Sequence, residues 1–166
     1  MVQVLPCPSA RRAYGGAPSN RGMLMLLPIT LTLAAACALI NFWLAVRCAR
    51  IRVGAKLLHG DSGNMLLARR MRAHANFIEY TPIVLILFGL IEMAIGAPLW
   101  LWIGAMIYAL ARIAHGFGMD ADKPTVWRAG GALLTWIVML GLAVAALYIA
   151  YGATRAVPAP PAMARV

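Results

Sequence analysis

The chain has 166 residues, of which 63% are apolar and only 12% charged, and it carries a net charge of +10. Soluble domains are roughly half apolar and about a quarter charged. A compact soluble enzyme of this size would expose far more apolar surface than such proteins tolerate. Simple disorder, which needs low hydrophobicity, is excluded for the same reason. Nucleic acid is not the expected partner, because a basic and strongly apolar chain belongs in a membrane.

Residues 1–22 carry Arg11, Arg12 and Arg21, with Pro6, Pro8, Pro18 and Gly15-Gly16, and show no apolar period. They read as a disordered tail. Met23 and Met25 stand at the edge of the first apolar run, so the tail reads as a start-site artefact.

Met23 to Val46 is free of charge. At about 1.5 Å per residue it spans about 36 Å, enough to cross a hydrocarbon core of ~30 Å. Arg47 to Arg72 then forms a basic connection around a turn cluster, Gly60-Asp61-Ser62-Gly63-Asn64. A second span is expected from Ala73 to Ile95, a third from Pro98 to His115 and a fourth from Arg128 to Tyr151. Gly116 to Trp127 is a polar connection, and 153–166 reads as a second disordered tail. The expectation is an all-α integral membrane four-helix bundle over 23–152. Short connections make neighbouring helices antiparallel.

Ten of the fifteen basic residues fall in the first and third connections or at their edges. The positive-inside rule then puts those connections in the cytoplasm and both termini outside.

Cys7, Cys37 and Cys48 form no paired framework and no metal-ligand spacing. Phosphate-loop, serine-triad and metal motifs are likewise lacking in the sequence. Glu92 lies near the outer end of the second span, where it is expected to reach water or headgroups. Pro82 is expected to kink that helix, and Gly130-Gly131 to permit close helix approach.

Ionisable residues inside a spanning helix are costly and are functional candidates by default. Arg72, Asn76 and Glu79 follow i, i+4, i+7 spacing, which puts all three on one helix face, with Tyr80 one position further round. Tyr108, Arg112 and His115 repeat that spacing on the third helix. Arg47 and Arg50 close the first helix, and Arg128 opens the fourth. Each cation alone reads as a snorkelling interfacial residue. Together they form a polar crown at one membrane level, suited to an anionic hydrophilic ligand whose carboxylates meet arginine forks.

The run from Arg72 through Ala73, His74, Ala75, Asn76, Phe77, Ile78, Glu79, Tyr80 and Thr81 to Pro82 resembles the second-helix signature of the MAPEG family. These are membrane-associated proteins of eicosanoid and glutathione metabolism. Ala111 to His115 resembles the end of that family's third helix, and Trp127-Arg128-Ala129-Gly130 the start of its fourth. The resemblance covers roughly 25–152.

The resemblance implies a homotrimer that binds glutathione, as co-substrate, between adjacent subunits near the cytoplasmic face. It implies ligand contacts at Arg72, Asn76, Glu79, Tyr80, Arg112 and His115. It also implies an arginine at the end of the first helix, matched to Arg47 with Arg50 as the alternative. Arg128 is implied beside the thiol, as its activator, with help from Arg47. The expected activity is glutathione S-transfer to a lipophilic electrophile dissolved in the bilayer, with peroxidase activity as a second reaction. One departure stands out. Several active members carry a tyrosine one turn beyond the position of His115, where this chain has Met119. A non-catalytic lipid-binding or regulatory relative is therefore an alternative. A small transporter using Glu79 or Glu92 as a proton site is another.

Overall fold

The computed structural model describes residues 26–156, so the expected tail at 1–22, both candidate starts and residues 157–166 lie outside the described residues. The described residues form four helices: α1 (Pro28–Gly54), α2 (Met65–Ile95), α3 (Leu99–Gly118) and α4 (Val126–Ala156). Each is long and apolar enough to cross a membrane.

The expected spans are present, but each runs past an expected limit, the third by three residues to Gly118. The first helix continues past Val46 to Gly54, and the second starts at Met65 instead of Ala73. The fourth continues through 153–156, which were expected in the tail. Arginines end an apolar window but do not end a helix, because a helix entering water keeps its internal hydrogen bonds. The real stop lies in the turn cluster. Gly60 and Gly63 adopt positive φ of 64° and 81°, and the Asn64 side chain accepts from the Leu67 N–H at 3.0 Å to cap α2. Pro82 is accommodated within one uninterrupted α2.

Packing follows a three–four spacing of inward side chains. On α1 the buried residues are Ile29, Leu33, Cys37, Ile40, Leu44, Arg47 and Cys48, and the first five meet Phe77, Val84 and Phe88 of α2 and Leu101 and Tyr108 of α3 in one core. α1 packs on α2 and α3, α4 packs on α3 and α2, and α1 and α4 do not touch. Glu92 near the end of α2 meets the start of α1, so these two run antiparallel. His115 near the end of α3 meets Arg128 at the start of α4, with the same consequence.

Glu92 departs from expectation. It is only 3% exposed and does not reach water or headgroups. Its carboxylate accepts from the Ile29 and Thr30 N–H groups, both at 2.8 Å, and from the Thr30 hydroxyl at 2.7 Å. The first N–H groups of a helix have no partner inside it, and Leu27 offers no side-chain cap. The α2 carboxylate supplies the cap across the helix pair, next to the positive end of the α1 dipole.

Candidate functional site

The ends of the helices opposite Glu92 gather the cations. Asp120, in the α3–α4 connection, binds Arg70 of α2 through two parallel bonds of 3.0 Å and also pairs with Arg47 of α1. Arg70 reaches on to the Arg47 carbonyl at 3.3 Å. Arg47 itself is buried. It donates to the Gly116 carbonyl at 2.9 Å and lies over the Trp43 ring at 4.6 Å. Burial alone would raise the Asp120 carboxyl, but the hydrogen bonds and charges of Arg70 and Arg47 outweigh it and hold it below the usual aspartate value. One carboxylate thus ties α1, α2 and the start of the α3–α4 connection together. The sequence reading passed over Asp120. Its signal was there to find: it is one of few acids facing a field of arginines.

Above this knot, the second polar layer centres on Arg112, which is 1% exposed. Its guanidinium donates to Asn76 of α2 at 2.9 Å and to Thr135 of α4 at 3.3 Å, and it lies 5.5 Å from the Phe77 ring centre. Thr135 is fully buried and donates back to the Gly131 carbonyl at 2.8 Å. Tyr108, one turn earlier on α3, meets the Thr81 hydroxyl at 2.9 Å.

His115 is placed by the start of α4. Its Nδ1 lies 3.0 Å from the Arg128 carbonyl; because a carbonyl only accepts, Nδ1 is the protonated nitrogen. Thr125 helps fix this corner. Its hydroxyl donates to the Gly118 carbonyl at 3.3 Å and accepts from the Arg128 N–H at 3.2 Å. α4 comes this close to α3 because of glycine. A Cβ at Gly131 would lie 2.6 Å from the Ala111 carbonyl and 2.8 Å from His115. Gly130, expected to share this role, faces open space.

Between α2, α3 and the start of α4 these placements leave an open cavity of about 380 Å³, lined by Arg72, Asn76, His115, Arg128 and Met119, with Pro124, Ala129 and Ala132. Four of the expected ligand residues therefore converge on one space. The others are placed differently. Glu79 lies 3.6 Å from Arg72 in a half-exposed ion pair beside the cavity. Tyr80 is partly buried one position beyond it. Arg112 stands behind Asn76 and contributes by orienting it. Arg50 is exposed on α1. Arg47, expected to help activate a thiol, does not line the cavity, because its guanidinium is taken up by Asp120 and Gly116. His74 is engaged with Asn41 of α1 at 2.8 Å, which gives that amide of the first span a partner.

A second, apolar groove of about 790 Å³ runs along the other side of α4, lined by Leu110, Ala114, Phe117, Trp127, Gly130 and Leu134 among others. The polar cavity and the apolar groove thus flank the same first turns of α4.

The model of the MAPEG family matches residues 30–148, which takes in all four helices. This chain belongs to the MAPEG family. Two relatives share its sequence: the inner membrane protein YecN of Escherichia coli strain K12 and the protein of the same name in Escherichia coli O6:H1 strain CFT073. Each is 31% identical over 100 residues, covering 60% of this chain and 75% of the relative. With four spanning helices, this MAPEG protein is a multi-pass membrane protein.

Proposed function

We propose that this MAPEG protein is a glutathione-dependent membrane transferase. The observation that carries the reading is the convergence of Arg72, Asn76, His115 and Arg128 on one cavity at the charged end of the bundle. Glutathione is a small peptide with two carboxylates, an ammonium and a thiol. Its carboxylates suit Arg72 and Arg128, because guanidinium forks pair with carboxylates through two parallel bonds. Glu79, beside the cavity, suits the ammonium. A thiol with an ordinary pKa near 8.5 is mostly protonated at neutral pH, and a guanidinium at its side favours the thiolate nucleophile. Arg128 has that role. Arg47 supports the site from a distance by anchoring α1 to Gly116, the residue after His115.

The electrophile is lipophilic and enters from the bilayer along the apolar groove beside Trp127. Selection is then by partition and shape. The Arg72–Glu79 face remains well exposed although it lies on a spanning helix. Charged groups are costly against lipid, so a second copy in a homotrimer covers that face and closes the cavity. The excess of basic residues at this end favours a cytoplasmic position for it, with both termini on the other side. The name of the YecN relatives supports an inner-membrane location.

Met119 supports the second reading, a non-catalytic relative that binds lipid. It lines the cavity at 3% exposure and brings a thioether where a hydroxyl would offer the thiol a hydrogen bond. Calorimetric titration of the detergent-purified protein with glutathione, followed by a conjugation assay with an activated aryl halide, separates the two. Binding with turnover is expected. Binding without turnover favours the lipid-binding relative, and no binding at millimolar glutathione defeats both the ligand and the activity.

A further inference from the structure

The cavity poses a proton problem that its arginines do not solve. A guanidinium stabilises a thiolate but stays protonated, and has only donors to offer. Arg72 and Arg128 therefore hold the anion without accepting the proton that leaves sulfur. Asn76 has its carbonyl oxygen occupied by Arg112 at 2.9 Å. Met119, Pro124, Ala129 and Ala132 carry no base. Glu79 stands outside the lining and is ion-paired with Arg72. What remains among the lining residues is His115. The Arg128 carbonyl fixes its proton on Nδ1, so the neutral ring carries its lone pair on Nε2. Among the described residues the ring's one hydrogen bond is this Nδ1 contact, and the ring lines the cavity.

We infer that His115 Nε2 is the proton acceptor for the thiol bound in this cavity, with the Arg128 main chain setting its tautomer and the Arg128 side chain holding the resulting thiolate. One residue would then orient the base and stabilise its product. The inference rests on the glutathione reading given above. In the reaction with an aryl halide, the S–H proton passes to Nε2 and its electron pair stays on sulfur. Sulfur then bonds to the ring carbon, halide leaves with the carbon–halogen pair, and the imidazolium releases its proton to water. The charged groups around the ring are Arg112 on its own helix, Arg72 on α2, Arg128 on α4 and the Arg47–Asp120 pair beyond Gly116.

His115→Asn tests this. The asparagine amide reproduces the Nδ1 donor to the Arg128 carbonyl and removes the distal nitrogen. The kcat for an aryl halide is expected to fall roughly 10²-fold, the usual contribution of a positioned base, and by a larger factor than glutathione affinity falls. Thiolate formation, read by ultraviolet absorbance of bound glutathione against pH, moves upward by about one unit or more, and added imidazole restores part of the rate in His115→Gly. Should His115→Asn fail to fold, His115→Gln is assayed in the same way. An unchanged thiolate titration and unchanged kcat overturn the assignment while leaving the glutathione reading standing. A wild-type protein that binds no glutathione overturns both.

Discussion

Glu92 and Thr30 face each other across the α1–α2 pair, and one carboxylate oxygen accepts from both the Thr30 N–H and the Thr30 hydroxyl, at 2.8 and 2.7 Å. The Glu92 side chain is buried, and its other oxygen holds Ile29. Glu92→Ala strands two helix N–H groups without a partner. Glu92→Gln turns an amide N–H toward them. Unpaired buried donors cost about 1–3 kcal/mol each, so both variants are expected to lose about 2–4 kcal/mol. Unfolding in mixed micelles measures this, and glutathione binding by the surviving folded fraction should be unaltered.

Asp120 predicts an acid-sensitive charged end. Its folded pKa lies below its ordinary value because Arg70 and Arg47 hold the ionised form. Its contribution is therefore fully present above the ordinary aspartate range and is lost as pH falls through the lowered folded value. Wild-type protein should lose stability below about pH 4, whereas Asp120→Asn should start lower and respond less to pH across that window. Thermal unfolding in detergent at a series of pH values is the check; parallel curves for the two proteins would contradict the ion-pair account.

Arg72 and Asn76 share a cavity but differ in structural commitment. The Arg72 side chain is 67% exposed and meets Glu79 only at 3.6 Å. Arg72→Ala should weaken glutathione binding by about tenfold or more, the size of one charge-assisted contact, and leave the unfolding midpoint in place. Asn76→Ala also removes the acceptor of a buried guanidinium. It should weaken binding and cost about 1–3 kcal/mol of stability. Titration calorimetry and unfolding on the same samples distinguish the two patterns.

Gly130 and Gly131 give a paired test of helix contact. A Cβ at Gly131 meets the Ala111 carbonyl and His115 backbone, whereas nothing lies within 4 Å at Gly130. Gly131→Ala should push α4 from α3, costing about 1–3 kcal/mol and most of the conjugating activity. Gly130→Ala should be neutral or stabilising by up to about 1 kcal/mol, since alanine favours helix. Equal effects in both variants would refute the close approach.

The four helices were legible because long, strongly apolar runs, wholly uncharged from Met23 to Val46, have little choice in a bilayer. Their ends were not. Arg47 to Gly54 and Met65 to Arg72 read as connection by composition, yet both are helical, because charge stops burial in lipid without stopping helix. Arg72 and Asn76 of the i, i+4, i+7 face of α2 line one cavity with His115 and Arg128, and Glu79 of that face stands beside it. The spacing did not reveal that Asn76 turns toward Arg112, nor that Arg47 turns away to Asp120. Those choices depend on which neighbour completes a hydrogen bond. Residues far apart in the chain decide them: 36 positions separate Asn76 from Arg112, and 63 separate Glu92 from Ile29. Thr135, the remaining partner of Arg112, carries no sequence signal of its own.

The first helix is fastened at its start and again about two turns before its end. Ile29 and Thr30 are gripped by Glu92, and eighteen positions later Arg47 is gripped by Asp120 and Gly116. At about 1.5 Å per residue the two clasps stand about 27 Å apart and act on one rod. A piston-like slide of α1 would have to break one of them, and a tilt would strain both. α4 is held to α3 through the Arg128 carbonyl and Thr135, and it lends Arg128 to the cavity on one flank and Trp127 to the groove on the other. α1 thereby serves as a strut held at two levels of the bundle, to α2 at one and to the α3–α4 connection at the other.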